Sequence, residues 1–392
     1  MNEDELGLFD EHTERDNRSR GRRIKLTVFG LIVVLLIGVG VWYGWRQLSG
    51  LGGYDDFAGT GEKDVVIEVK GGDSTGAIAG TLAEQGVVAS SRAFVEASES
   101  DARVRAVQPG FYVMRTKISG ADAVTRIVDP KSRVGNLQIK PGTQLDDIKK
   151  KDGSVTPGIV SLLSKASCAE LDGKSTCVKV EDLRKVASSG DLAALGVPEW
   201  AVADAGKAEP TRRLEGLIAP SVYDVRPGAT AEELWKKVLT DSSALLQSFG
   251  LPTIADGTGF TPYQVLTMAS LVQREGILKD FGKVSRVIYN RLKIGMELAF
   301  DSTVNYVLDR PNIATSDADR GRAGAYNTYK NTGLTPTPIS APSRDAIVAI
   351  IEPEAGNWLF FVLCEKDGTS CFADTYEKHL ANRELARRNG AF

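Results

Sequence analysis

The chain has 392 residues, enough for two or three domains with sizeable cores. Hydrophobic residues make up 42% and charged residues 25%, an ordinary globular balance, and a formal net charge of -3 gives no support to nucleic-acid binding. With two histidines and no Cys-x-x-Cys pair, a His-rich or zinc centre is not expected.

Residues 1–25 form a polar tail that ends in the Arg-rich stretch "RDNRSRGRRIK". The run that follows, Leu26 to Trp45, holds about twenty uncharged residues, the length a helix needs to cross a bilayer. Trp42, Tyr43 and Trp45 sit where an interfacial aromatic belt forms, and the basic flank keeps the N-terminus in the cytoplasm. A cleaved signal peptide is the competing reading, but the run is long and no clean small-x-small site follows it. The expectation is therefore a single-pass cell-membrane protein, with a span over 26–46, a Gly-rich linker over 47–63, and the rest outside the cytoplasm.

Residues 64–150 read as a small α/β region of strand-turn-helix units. "VVIEVKGGDSTGAIAGTLAEQGVV" gives a strand, a Gly turn, a Ser74/Thr75 cap and a helix. "GFYVMRTKISGADAVTRIV" repeats it, and "NLQIKPGTQLDDIKKK" does so again, with Thr143 as the cap. Such a module can bind a polymer such as a glycan or act as a spacer. Residues 151–213 read as helices and loops packed on the main domain. The whole is an α+β chain with a mixed α/β domain over 151–388.

Four cysteines permit three pairings. Local bridges, Cys168–Cys177 and Cys364–Cys371, are the simplest in an oxidising compartment, and four buried free thiols are the other reading. Cys364 and Cys371 flank "EKDGTS", so they can bridge the arms of a hairpin.

The helix in "YQVLTMASLVQREG" raises a chemical question. At 100° per residue Met268, Leu271, Val272 and Glu275 share one apolar stripe, while Gln273 and Arg274 turn away. Burial beside apolar groups raises a carboxyl pKa, which suits a general acid for glycosidic cleavage. The bland reading is that the helix stops at Gly276 and leaves Glu275 at a frayed end. In the next helix Val284, Val287, Ile288 and Leu292 share a face, with Gly295 as the stop. Asn290 and Arg291 either donate into a cleft or are simply solvated. Asp301 and Thr303 lie in a polar break, where Asp301 can cap a helix or touch a ligand. Tyr326, Asn327, Thr328 and Tyr329 form an aromatic-amide mixture of the kind that binds sugars. His379 in the terminal helix is more often a structural residue than a catalytic one.

The stretch "ASLVQREG…VSRVIYNRLKIGMELAFDSTVNY…AYNTYKNTGLTPTPIS", with "LEGLIAP", "GFYVMR" and "FADTYEKHLANR", resembles the MltG-type (YceG-like) endolytic murein transglycosylases from about residue 64 to 388. The resemblance implies internal cleavage of nascent peptidoglycan at the MurNAc-GlcNAc bond, leaving 1,6-anhydroMurNAc ends, and a LysM-like character for residues 64–150. It maps the family's catalytic Glu onto Glu275 and implies a chemistry that needs no metal or cofactor. Many members have a second acid where this chain has Gln273, so Glu275 is the only carboxylate of the motif here. Glu215, in "LEG", matches as a second carboxylate, with structural support as its default role. The family's Asp-Pro-Thr appears here as Asp301-Ser302-Thr303, and its Pro-Asp after "LEG" as Pro220-Ser221; the insert with Cys168 and Cys177 has no counterpart. Glu215, Asn290, Arg291, Asp301, Thr303, Tyr326, Asn327, Thr328, Tyr329 and His379 are the candidate substrate contacts. The implied partners are glycan strands, peptidoglycan synthases and division or elongation proteins. A hydrolytic muramidase and a non-catalytic glycan-binding scaffold are the competing functions.

Overall fold

In the computed structural model the described residues are 37–41, 53–150, 152–308 and 315–391. Of the apolar N-terminal run only residues 37–41 are described, as exposed helix; Trp42, Tyr43 and Trp45 lie outside the described residues. Among the described residues no helix is long and apolar enough to cross a membrane.

From Phe57 onward the described residues form one compact unit built on two apolar clusters. The smaller begins with β1 (Asp64–Val69), in which Ile67 and Val69 point inward and Glu68 outward, as a period of two requires. β1 pairs antiparallel with β2 (Gly110–Arg115), and β2 with β3 (Arg133–Val134). Three helices cover this sheet: α1 (Thr75–Glu84), α2 (Ser91–Ser98) and α3 (Gly120–Ile127). Each starts at a serine, Ser74, Ser90 or Ser119, whose hydroxyl accepts from a backbone N–H of the first turn. Leu82, Phe94, Met114 and Ile127 fill the space between.

The first two strand-turn-helix units thus form as the sequence predicts, and the third does not. β4 (Asn136–Ile139) and the Pro141-Gly142 turn are present, but no helix follows Thr143. The Thr143 hydroxyl donates back to the Lys140 carbonyl (2.8 Å) rather than capping a helix, and the Leu145 N–H is taken by Glu215. β4 pairs with β9 (Ser221–Asp224), far along the chain, and buries Leu137 and Ile139 in the larger cluster.

Between them lie the short pairs β5 (Ile148–Lys149) with β6 (Val155–Thr156) and β7 (Glu170–Leu171) with β8 (Lys174–Ser175), and the helices α4 (Ile159–Ala166), α5 (Val180–Ser189) and α6 (Glu199–Ala205). The Cys168–Cys177 disulfide closes the β7–β8 hairpin. α7 (Ala231–Ser248) opens with a Thr230/Glu233 capping box and buries Trp235, whose indole N–H donates to Leu183 O at 2.9 Å. Two contacts join the parts. Asp64 and Asp172 each accept from the other's backbone N–H (2.9 and 3.0 Å), and Arg133 pairs with Asp224 at 3.1 Å.

At the centre of the larger cluster stands α8 (Pro262–Glu275), capped by Thr261 with Gln264 as its reciprocal partner. Every residue from Val265 to Val272 is buried, so the helix is apolar nearly all round. Burial of each large side chain contributes roughly 1.5–3 kcal/mol. α9 (Phe281–Lys293) and α12 (Arg344–Ile351) pack against it, with α10 (Asp301–Asn305) and α11 (Asp317–Gly321) between them in the chain. β10 (Phe360–Leu363) and β11 (Ser370–Ala373) form the expected hairpin, bridged by Cys364–Cys371, before α13 (Tyr376–Asn389). Both local disulfide pairings are present, and none of the described cysteines is free.

Candidate active site

Glu275 is the last residue of α8, and Gly276 ends the helix in an extended conformation with its N–H still on Val272 O (3.1 Å). The residue is half-buried, and its Oε1 accepts from the Ser302 backbone N–H at 3.2 Å. It is therefore held, not frayed. Burial pushes the Glu275 carboxyl up, with Asp301 adding to the push; Ser302 and Arg274 oppose it. Gln273 accepts from Ser343 N at 3.0 Å, which ties the end of α8 to the start of α12.

Asp301, the first residue of α10, caps nothing; Phe300 is the cap and makes no side-chain bond. The Asp301 carboxylate accepts from Thr315 Oγ1, from the Tyr329 phenol (2.7 Å) and twice from Arg320 (3.1 and 3.0 Å). Burial would raise its pKa, but these donors outweigh burial and leave it below the ordinary value. Arg320 also lies over the Tyr329 ring, 5.3 Å from its centroid. Tyr329 and Arg291 both feel the charge of Glu275, so the structure brings Glu275, Asp301, Tyr329 and Arg291 into one neighbourhood.

The other expected sugar contacts build this site from beneath. Tyr326, Asn327 and Thr328 are buried, as is Thr303. Thr328 accepts from Phe300 N (3.0 Å) and meets the Thr303 hydroxyl at 2.8 Å. The Asn327 amide donates to the carbonyls of Arg320 and Arg322. Tyr326 packs on the Tyr306 ring at 5.0 Å and meets the Thr337 hydroxyl at 2.9 Å, so neither end of it is open for stacking. Asn290 donates to the carbonyls of Gly356 and Trp358, and Arg291 donates to those of Leu359 and Leu298; both brace the end of α9 and do not donate into a cleft. His379 stacks on Phe360 and touches Tyr376, with Nδ1 buried and unpartnered.

Glu215 is 1% exposed. It accepts from Leu145 N (3.1 and 3.0 Å) and from the Tyr306 phenol (3.0 Å). It borders a cavity of about 320 Å3 shared with Asp146, Arg184 and Arg212. Burial pushes its carboxyl up to about 7. Gly216 beside it has φ +72, and a Cβ there would lie 2.3 Å from Pro338 Cβ, so only glycine fits in "LEG".

α10 connects the two carboxylates: Ser302 N bonds Glu275, and Tyr306, one residue beyond the helix, bonds Glu215. Ser302, Tyr306, Thr315 and Arg320 carry these contacts and were not singled out from the sequence. Only the four-residue spacing of Ser302 and Tyr306 hints at them. Among the described residues no group of three or more His, Cys, Asp or Glu is arranged to hold a metal.

A model of the YceG-like family matches residues 67–385. A Bacillus subtilis (strain 168) protein named endolytic murein transglycosylase is 26% identical over 338 residues, covering 82% of this chain and 86% of that protein. A protein of the same name from Streptococcus pneumoniae serotype 2 (strain D39) is 25% identical over 372 residues. That match covers 92% of this chain but only 65% of the pneumococcal protein. Among solved structures, a YceG-like protein from Listeria monocytogenes superposes with a TM-score of 0.54 at 23% identity, over 82% of this chain and 99% of that one. This last likeness is one of fold.

Proposed function

Because the chain belongs to the YceG-like family, we propose that it is a membrane-anchored endolytic peptidoglycan transglycosylase with Glu275 as general acid and base. The observation that carries the reading is the Glu275 carboxyl, pushed up by burial and fixed by Ser302 N–H. The names of the Bacillus and pneumococcal relatives support the substrate.

The chemistry needs one carboxyl. Protonated Glu275 gives its proton to the glycosidic oxygen as the MurNAc C1–O bond breaks. The C6 hydroxyl of the same MurNAc forms the new bond to C1, and its proton passes to the Glu275 carboxylate. A 1,6-anhydroMurNAc end results, no water is consumed, and the acid is regenerated. Typical hydrolytic glycosidases need a second carboxyl at the sugar. Glu215, closed in by Leu145 and Tyr306, is poorly placed for that role, which disfavours a muramidase. The apolar run 26–46 would hold the catalytic part at the outer face of the cell membrane, among peptidoglycan synthases and division or elongation proteins. A LysM-like glycan contact by the smaller region belongs to the same proposal.

The test is digestion of purified glycan strands by the full chain in detergent, with products weighed by mass spectrometry. Ends lighter by one water are expected. Reducing ends would mean hydrolysis, and intact strands would remove the enzymatic reading. Glu275→Gln should lower the rate by about 10²–10⁴-fold while the fold and strand binding persist; a variant that cuts at the wild-type rate would overturn the assignment.

A further inference from the structure

A groove of about 600 Å3 runs between β4 and α4. Among the described strands β4 pairs only with β9, and its side chains alternate. Leu137 and Ile139 enter the core, and Asn136, Gln138 and Lys140 face out into the groove. Lys165 reaches the groove from α4. Arg133 is the third cation of the lining, which holds no carboxylate, in a chain whose net charge is -3. Arg133 is answered by Asp224, whereas Lys140 and Lys165 have no ion-pair partner among the described residues.

One end of the groove is tied to the helix that carries the acid. From Lys140 the chain turns through Gly142 at φ +79, where the nearest atoms to an added Cβ belong to Gln273 and Arg274 at 3.8–4.0 Å. Gly142 O accepts from Arg274 at 3.4 Å, and Gly142 N donates to Ala341 O at 2.8 Å. The turn that ends the groove is thus seated on the two residues that precede Glu275.

Side-chain amides in a row match hydroxyl and acetamido groups, and two unpaired ammonium groups match carboxylates. We propose that this groove is a substrate subsite in which Lys140 and Lys165 bind the carboxylates carried by a peptidoglycan strand, on its stem peptides or lactyl groups, as the strand enters toward Glu275. The proposal rests on the transglycosylase reading for its substrate, and its test is kept apart from cleavage.

Binding of the full chain in detergent to insoluble peptidoglycan is measured by co-sedimentation, comparing Glu275→Gln alone with Glu275→Gln combined with K140E and K165E. Both lysines are exposed, so the fold should be kept, as circular dichroism and the thermal midpoint would verify. At low salt the charge-reversed variant should bind about tenfold more weakly, and the difference should shrink at high salt. Peptidoglycan stripped of phosphate-containing polymers should give the same difference; a difference lost on stripping would assign the groove to phosphate polymers and overturn the carboxylate assignment. Equal binding at low salt would overturn the subsite altogether. In an otherwise wild-type chain, K140E with K165E should raise KM for strands about tenfold. If the wild-type chain cuts nothing, the functional reading fails, while the sedimentation result still decides the groove.

Discussion

At the residue scale, two buried or half-buried carboxyls have different work. In the proposed function Glu275 exchanges protons with a substrate; one of its oxygens is held by Ser302 and the residue is only partly buried. Glu215 is closed in, and its raised pKa becomes a statement about stability. In the folded chain burial holds it near 7, against an ordinary value of 4.5. The folded state therefore binds the proton more tightly than the unfolded state. The stabilisation is complete below pH 4.5 and is lost as pH rises through about 7. The size is about 3 kcal/mol, from 1.36 kcal/mol per pKa unit. Glu215→Gln cannot titrate, yet its amide oxygen can still accept from Leu145 and Tyr306. Urea unfolding of both forms should show wild type losing about 3 kcal/mol relative to the variant between pH 4.5 and 7.5. A difference that does not change with pH would mean that Glu215 stays ionised in the fold.

At the scale of elements, α10 carries the site. Five residues long, it is held at Asp301 by Arg320, Thr315 and Tyr329 and just past its end by the Tyr306–Glu215 bond. Tyr306→Phe removes that bond and should cost about 1–3 kcal/mol. With the end of α10 released, Ser302 N–H would bond Glu275 less well, and the charged carboxylate would lose a stabilising donor. The Glu275 pKa should then rise further, and the pH at which activity falls through loss of its proton should move upward. A pH–rate profile checks this; a drop in thermal midpoint with an unmoved profile would limit Tyr306 to a structural role. The same elements mark what could be read from the sequence. α8 and α9 were legible because period, caps and the stops at Gly276 and Gly295 are local signals. The tie of Asp301 to Arg320 was not, because their proximity depends on how 315–329 folds back. Tyr326 follows the same rule: composition names an aromatic ring among candidate sugar contacts, but only packing shows that Tyr306 and Arg212 already cover it.

At the scale of the whole molecule, two short disulfides pin two separate hairpins, one in the insert before β9 and one just before the terminal helix. Both pairings match the simplest of the three that four cysteines permit, since separations of 9 and 7 make local loops the easiest to close. The third strand-helix unit is the opposite case, since β4 finds its partners 82 to 88 residues later, at Ser221 to Asp224. Bridges of this kind persist in oxidising compartments, which supports the extracytoplasmic placement in the proposed function. Chain-entropy reasoning gives each short loop about 2–3 kcal/mol of stabilisation. The two bridges share no partner: the Cys168 sulfur lies against Ser164 O and the Cys364 sulfur against Asn382 O. Their contributions should therefore add. Replacing Cys168 and Cys177 by Ser, replacing Cys364 and Cys371 by Ser, and replacing all four should lower the unfolding free energy in urea such that the last loss equals the sum of the first two within about 0.5 kcal/mol. The hairpin β10–β11 is braced by Arg291 through Leu359 O, and Arg291 lies near enough to sense Glu275. Loss of the Cys364–Cys371 bridge should thus also lower kcat for strand cleavage severalfold, whereas loss of Cys168–Cys177, where Cys168 lines the groove of Lys140 and Lys165, should leave kcat unchanged and act through KM alone. Equal effects on kcat would mean that the terminal hairpin only stabilises the fold and does not help position the acid.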